Sequence, residues 1–561
     1  MRLPPHQRFL WTVALLCGFG SGSVPFATRT ATASDKADDR FVNPIGEGAD
    51  PWVIRDDPND RYLWCFSVGN RAIAVHSSDR LTSLGEPQIV WRAPESGPTS
   101  QQIWAPELHR LDDRWYVYFA ASDGHNENHL AYVLESAGDD PLGPYRLHGP
   151  LATGDGVDGR SPNVWAIDMT VLEHAGKRYA IWSGWDRPGS DRQYLYIAPM
   201  QSPTELAGRR VKIVENDDHH WEMTEPDGRG RGLNEAPQVI RHGDRVFLTY
   251  SCGASWLPTY KLGLLELVGK DPAAAGAWQK MPQPWFVGDE QTYGVGHSCF
   301  VRSPDGSEHW HVYHAKRDRD PGWRRVIHVQ PMDFAPSGEP RFGSPVAAGE
   351  LLTRPAGEMV RRYDLPLRFS LLGPRPTGWD YYGHHQLLEA SPDGLELGTV
   401  PESPINVFRS GEKMVLDGPI PDDFQAEVDI DFLGDQQSRD AGLLFRTTAA
   451  AIGYDAQCGY FAGLIPRSGL AIFGSTDGRA WTELARAPVD LDPTRVNRLG
   501  VTAAGDRITL SLNGQTVLKA TDDSYRSGSI GLRVVDSEAR FTNLTIDPLA
   551  AAKTENRDAP R

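Results

Sequence analysis

The stretch GLNEAPQVIRHGDRVFLTYS, Gly232 to Ser251, reads as a β-hairpin. An apolar run, PQVI, leads into a polar turn at HGD and then a second run, RVFLTYS. Short apolar or alternating runs bounded by turn residues are strands. Glu235 is out of place in that reading, because it heads an otherwise apolar inner strand. The same hairpin recurs along the chain. Its second strand is matched by RYLWCFSVG (Arg61 to Gly69), RWYVYFAAS (Arg114 to Ser122), RYAIWSGW (Arg178 to Trp185) and HWHVYHAK (His309 to Lys316). Before each stands a polar turn, and before the turn a first strand: DPWVI, APELH, DMTVL, APQVI and HSCFV. A third strand follows each, as in AIAVHSS, LAYVLES, LYIAPM, LGLLEL and VIHVQPM. No long segment of helical period lies between them. Five copies at a period of roughly 60 residues predict a five-bladed β-propeller, in which neighbouring sheets bury each other's faces. A β-sandwich would explain the strands but not the repetition.

Aligned on the basic residue that opens the second strand, the copies share one position at the head of the innermost strand. Asp50 lies eleven residues before Arg61, Trp104 ten before Arg114 and Asp168 ten before Arg178. Glu235 lies ten before Arg245, and His297 twelve before His309. Innermost strands surround the propeller channel, so these heads converge. A single such acid reads most simply as a blade cap. Three in one confined space raise the cost of ionisation for each other, which is the arrangement of acid/base machinery. Glycoside hydrolysis needs a carboxylic acid for the leaving oxygen and a second carboxylate for water or the anomeric carbon. A third carboxylate tunes the acid, and a flat indole suits a sugar face.

The remaining signals narrow the class. The chain has 561 residues, 40% of them hydrophobic, and 17 Trp, enough for more than one large core. Its formal net charge is −17, with no basic face of the kind that binds nucleic acid. Arg2, His6 and Arg8 precede FLWTVALLCGFG and the small residues TATAS. This is the order of a secretory signal peptide, expected over 1–33, and it implies a secreted or periplasmic protein with no membrane association after cleavage. Cys65, Cys252, Cys299 and Cys458 are scattered, without the spacing of a zinc site. NDDHHW (Asn216 to Trp221) reads as a loop rather than a ligand set, and no phosphate loop, HExxH or nucleophile elbow is present.

At these residues the sequence resembles glycoside hydrolase family 43, across about 41–352. The resemblance rests on NPIGEGADPWV, WAPELHRLDDRWYVYFAA, WAIDMTVLEHAGKRYAIWSGW, LNEAPQV, YGVGHSCFVRSPDG and RRVIHVQPMDFAPSGEPRFGSP, all in order. It implies that Asp50 is the general base, Glu235 the general acid and Asp168 the residue that orients the acid and modulates its pKa. It implies that Trp104 and Arg325 contact sugar, and that His297 sits where relatives often hold calcium through waters. The family inverts configuration, so base and acid are expected roughly 6.5–9.5 Å apart. WAPELH, WSGW and LYIAPM look most like the α-L-arabinofuranosidases, with arabinan or arabinoxylan as the polysaccharide partner. A β-xylosidase and a non-catalytic carbohydrate-binding propeller are the alternatives. Fructan-cleaving propellers are the nearest rival fold, but their Arg-Asp-Pro and Glu-Cys motifs are absent. The acid motif departs from the usual Glu-Gly-Pro, reading Glu235-Ala236-Pro237. The added methyl is tolerated unless that backbone needs positive φ. Met169 follows Asp168 where Pro or Gly is common, and His328 stands where relatives often have a second Arg.

Beyond the repeat, short alternating strands with turns such as LNGQ and TDGR predict a β-sandwich over 363–548. AGLLFR, LNGQTV and SGSIGLRV resemble concanavalin-like jelly rolls, either carbohydrate-binding or purely structural. The tail, 549–561, is expected to be disordered.

Overall fold

The computed structural model describes residues 39–156, 163–225, 230–384, 387–398, 411–437 and 440–549. The leader expected at 1–33, and all but Leu549 of the tail expected at 549–561, lie outside these residues. Among the described residues there is no α-helix, only strands and 3₁₀ turns.

The five hairpins become five antiparallel sheets, built in chain order around an axis. The innermost strands are Trp52–Asp56, Gln101–Leu111, Ala166–His174, Asn234–His242 and Gly296–Arg302. The apolar second strands are explained by what covers their two sides. Tyr62, Trp64 and Phe66 pack against Trp310, Val312 and Ile327 of blade 5. The alternate residues Leu63 and Cys65 pack against Val117, Phe119 and Leu134 of blade 2. With successive side chains on opposite faces, burial on both faces requires an unbroken apolar run. The same device joins blades 2 and 3 through Tyr118, Val133 and Trp182. Ile181, Leu195 and Leu248 join blades 3 and 4, and Phe247, Leu264 and Tyr313 join blades 4 and 5. Each such buried side chain contributes about 1.5–3 kcal/mol relative to exposure.

The N-terminal segment closes the ring. Gly46–Glu47 adds to the outer edge of blade 5 by pairing with Ile327 and Val326. Arg40–Val42 pairs with Leu351–Thr353, where the propeller ends. Neither short strand is visible in the sequence pattern.

The C-terminal region is a sandwich of two sheets sharing one core. One sheet centres on Ser537–Pro548 and Phe424–Gln437, the other on Ser529–Val534 and Ala441–Thr448. Val428, Ile430, Val501 and Phe541 of the first sheet share a core with Leu443, Phe445 and Phe473 of the second. The strand Leu367–Phe369 pairs with Ser537–Pro548, so the strands of the sandwich begin there and 354–366 form the connector.

The sandwich docks on blade 1 through buried charge. Arg80 donates to both oxygens of Asp380, at 3.0 and 3.0 Å, and lies 3.3 Å from Asp417. Ser83 donates to Asp380 at 2.6 Å, and Tyr363 to Asp417 at 2.6 Å. The connector is fastened too, because the Glu358 carboxylate accepts the N–H groups of Leu81 and Thr82 at 2.9 and 3.2 Å. Satisfied charge pairs of this kind fix orientation, and removing one partner of such a pair typically costs about 3–5 kcal/mol.

Candidate active site

A backbone irregularity recurs at the blade heads. Asp50, Ala105, Asp168, Ala236 and His297 all have positive φ, between 43 and 54°. In blades 2 to 5 the register with the second strand shifts at this point, as at a β-bulge. Bulges re-aim side chains, and here they turn the heads into the channel. Asp and His are among the residues that tolerate left-handed backbone best, which suits Asp50, Asp168 and His297. In blades 2 and 4 the left-handed residue is an alanine, and Trp104 and Glu235 stand immediately before it. The five positions aligned by sequence are therefore of two kinds, differing by one residue in phase.

Three of these left-handed N–H groups bond to the neighbouring blade. Asp50 donates to His314 Nδ1 at 3.1 Å, Ala236 to Asp168 Oδ2 at 3.0 Å and His297 to Ser251 Oγ at 2.8 Å. Positive φ at Ala236 is the condition under which its methyl group is not neutral.

Asp50, Trp104, Asp168, Glu235, His297 and Arg325 all line one cavity of about 1360 Å³. All six residues expected from the sequence are thus brought together. The electrostatics divide them. Burial pushes the Asp50 carboxyl upward, but the Arg325 guanidinium at 3.1 Å, with His297 at 3.2 Å, holds it well below the usual carboxylate range. Arg325 donates to Oδ1, the oxygen that His297 also approaches, while His314 Nδ1 accepts the Asp50 N–H. Glu235 has neutral partners instead. Its Oε1 accepts from Tyr260 at 2.8 Å, and its Oε2 from Gln193 at 3.0 Å. Burial raises its pKa, against these two hydrogen bonds, and the Asp50 charge adds to the rise. Asp168 is raised further, by burial first and then by Glu235 and Asp50. Glu235 and Asp168 titrate as a pair that retains a proton above the ordinary carboxylate range.

A fourth carboxylate, Glu107, lies deeper in the channel and is raised by burial. It contacts His109 at 2.9 Å and accepts a hydrogen bond from Gln238. Sequence reasoning missed it because it lies three residues beyond Trp104. Gln193, Tyr260 and His314 were missed too, since they come from a third strand, a loop and a second strand rather than from the repeated head. Trp104 stacks on His129 with centroids 3.8 Å apart, and Trp165 stacks on Trp185 at 4.9 Å beside it. This makes an aromatic wall of three blade-2 and blade-3 indoles along the cavity.

His328 is not part of the wall. It is buried inside blade 5 beside Tyr313, with its pKa lowered to about 4 by burial, so its departure from relatives falls in packing rather than in the cavity. Met169 is a core residue between blades 2 and 3. Cys65, Cys252, Cys299 and Cys458 are free thiols.

Among the described residues, no group of three or more His, Cys, Asp and Glu is arranged to hold a metal ion. His297 directs Nδ1 at Asp50, and the Arg325 guanidinium already supplies the cation there. These residues do not fit direct coordination of calcium. His219 of the NDDHHW loop stacks on Trp221, and Asp218 pairs with Lys280 at 2.9 Å.

The sandwich also reaches the cavity, through Arg375 and the strand Trp379–Tyr382. Among the described residues, no helix is long and apolar enough to cross a membrane.

Residues 41–340 match the family model for glycosyl hydrolases family 43, and residues 377–547 match that for a 3-keto-alpha-glucoside-1,2-lyase-like domain. The chain is 31% identical over 289 residues to an extracellular exo-alpha-(1->5)-L-arabinofuranosidase of Streptomyces chartreusis, covering 50% of this chain and 84% of that one. It is 32% identical over 337 residues to alpha-L-arabinofuranosidase 43 of Humicola insolens, covering 58% and 67%. Among solved structures, an alpha-L-arabinofuranosidase from Lactobacillus brevis superposes with a TM-score of 0.50 at 29% identity, over 56% of this chain and 98% of that one.

Proposed function

The chain belongs to glycosyl hydrolases family 43, and from that premise we propose that it releases L-arabinofuranose from arabinan or arabinoxylan-type polysaccharides outside the cell. It is an inverting glycosidase. In the proposed reaction Glu235 gives its proton to the glycosidic oxygen as the C1–O bond breaks. Asp50 takes a proton from a water that attacks C1 from the opposite face. Asp168 shares with Glu235 the proton that the pair retains, and positions the acid by accepting the Ala236 N–H beside it. Trp104 and Arg325 line the subsite of the sugar being released.

The observation that carries the reading is the division of the carboxylates in one cavity: one held ionised by a guanidinium, and a pair raised by burial that retains a proton. A base and an acid are both needed at neutral pH, and environments that separate their pKa values assign the roles. The test is Glu235→Gln. We expect kcat/KM on arabino-oligosaccharides to fall about 10²- to 10⁴-fold, with a much smaller loss on a dinitrophenyl α-L-arabinofuranoside, whose leaving group needs little proton donation. Equal losses on both substrates would remove Glu235 from the acid's role. Turnover of aryl β-D-xylosides in preference to the arabinosides would overturn the substrate.

A further inference from the structure

Trp323 is 64% exposed at the rim of the catalytic cavity, which is an unusual setting for an indole. We infer that Trp323, backed by Trp256, is a stacking platform for the sugar residue next to the one released. The inference deepens the proposed arabinofuranosidase function and rests on it.

The two indoles come from different blades. Trp256 lies in the loop after the second strand of blade 4, and Trp323 lies just before the third strand of blade 5. Their ring centroids are 5.4 Å apart, with planes at 55°, so Trp256 abuts Trp323 while most of that side chain stays exposed. The loops are joined by backbone, because the Gly322 N–H donates to the Trp256 carbonyl at 2.8 Å. Lys316, itself buried, donates to the Gly322 carbonyl at 2.7 Å. The exposed ring therefore stands on a braced loop.

Its place relative to the chemistry is set by Arg325. That guanidinium lies 5.6 Å from the Trp323 ring centroid and 3.1 Å from Asp50 Oδ1. The platform is one side chain away from the proposed base, hence beside the reacting sugar rather than remote from it. The cavity provides the room. Its volume of about 1360 Å³ exceeds the roughly 300–1,000 Å³ of a site for one drug-sized ligand, and a single pentose leaves much of it unfilled. An oligosaccharide presents C–H faces that pack on indole, and its hydroxyls remain toward water.

The test compares linear α-1,5-arabinotriose with methyl α-L-arabinofuranoside, which has nothing beyond the released sugar to reach the platform. For Trp323→Ala, the ratio of kcat/KM on the triose to that on the methyl glycoside should fall about ten-fold, mainly through KM. Trp323→Phe should restore most of the ratio. An unchanged ratio, or a loss shared equally by the two substrates, overturns the platform. If the wild-type enzyme turns over neither substrate, the substrate reading fails on its own. Calorimetric titration of Glu235→Gln with arabinotriose, with and without Trp323→Ala, then decides the platform: about ten-fold weaker binding supports it and equal affinity rejects it.

Discussion

The heads of blades 1 and 4 share one backbone device and carry opposite electrostatics. In both, a left-handed residue gives its N–H to the neighbouring blade: Asp50 to His314, and Ala236 to Asp168. Around Asp50 stand a guanidinium and two imidazoles. Around Glu235 stand a phenol and an amide, with a second carboxylate one hydrogen bond away. Burial pushes both acids upward, and only at Asp50 do the neighbouring charges overcome it. The fold supplies a common position, and the adjoining blade supplies the protonation state. Asp or Glu as a residue type decides little.

The largest effect should come from removing the base itself. Asp50→Asn leaves no group to take the proton of the attacking water, whatever the leaving group. We expect kcat/KM to fall about 10²- to 10⁴-fold on arabino-oligosaccharides and on dinitrophenyl arabinofuranoside alike. That contrasts with Glu235→Gln, for which the activated substrate is spared. If the two variants spare it equally, the heads are not divided into base and acid.

A finer break is Arg325→Gln, read by pH. The guanidinium is the strongest influence opposing burial at Asp50, so its loss raises the Asp50 pKa. The working form of the base is ionised and is lost as pH falls through that pKa. The acid limb of the kcat/KM profile therefore moves to higher pH. Arg325 also lowers Glu235, though it ranks last among the causes there, so the basic limb moves up less. Loss of a sugar contact alone would scale the profile down without moving its limbs. Stationary limbs would separate Arg325 from the control of Asp50.

What was legible in the sequence follows from period. Second strands buried on both faces read as unbroken apolar runs, and five of them gave the propeller and the register of Asp50, Asp168 and Glu235. The sandwich was legible by alternation, for the same reason. Contacts across blades have no period. Gln193 and Tyr260 reach Glu235 from a third strand and a loop, and His314 reads as one more residue of HWHVYHAK. The closing strand Gly46–Glu47 is two residues long, too short to carry any pattern. Arg80 and Asp380 are 300 positions apart, and their pairing arises only when two separate cores dock. The phase difference between Asp168 and Glu235 was hidden as well, because a bulge changes the count without changing residue type.

The smallest effect tests that bulge. Ala236 has φ of 51°, where a methyl group costs about 1–2 kcal/mol. Glycine removes this cost and loses about 0.5–1 kcal/mol to the greater freedom of its unfolded chain. Ala236→Gly should therefore stabilise the propeller by about 0–1.5 kcal/mol, centred near 0.75 kcal/mol, which corresponds to a rise in Tm of about 1–3 °C by calorimetry. Ala105 provides the comparison. It has φ of 43° at the head of blade 2, follows Trp104 and bears on no carboxylate pair. Ala105→Gly should give a similar rise. If both variants gain, the strain belongs to the bulge common to the blades. If Ala236→Gly alone loses stability, the methyl of Ala236 contributes packing that outweighs its backbone cost, and the alanine in the acid motif is a favourable feature of this chain rather than a tolerated one.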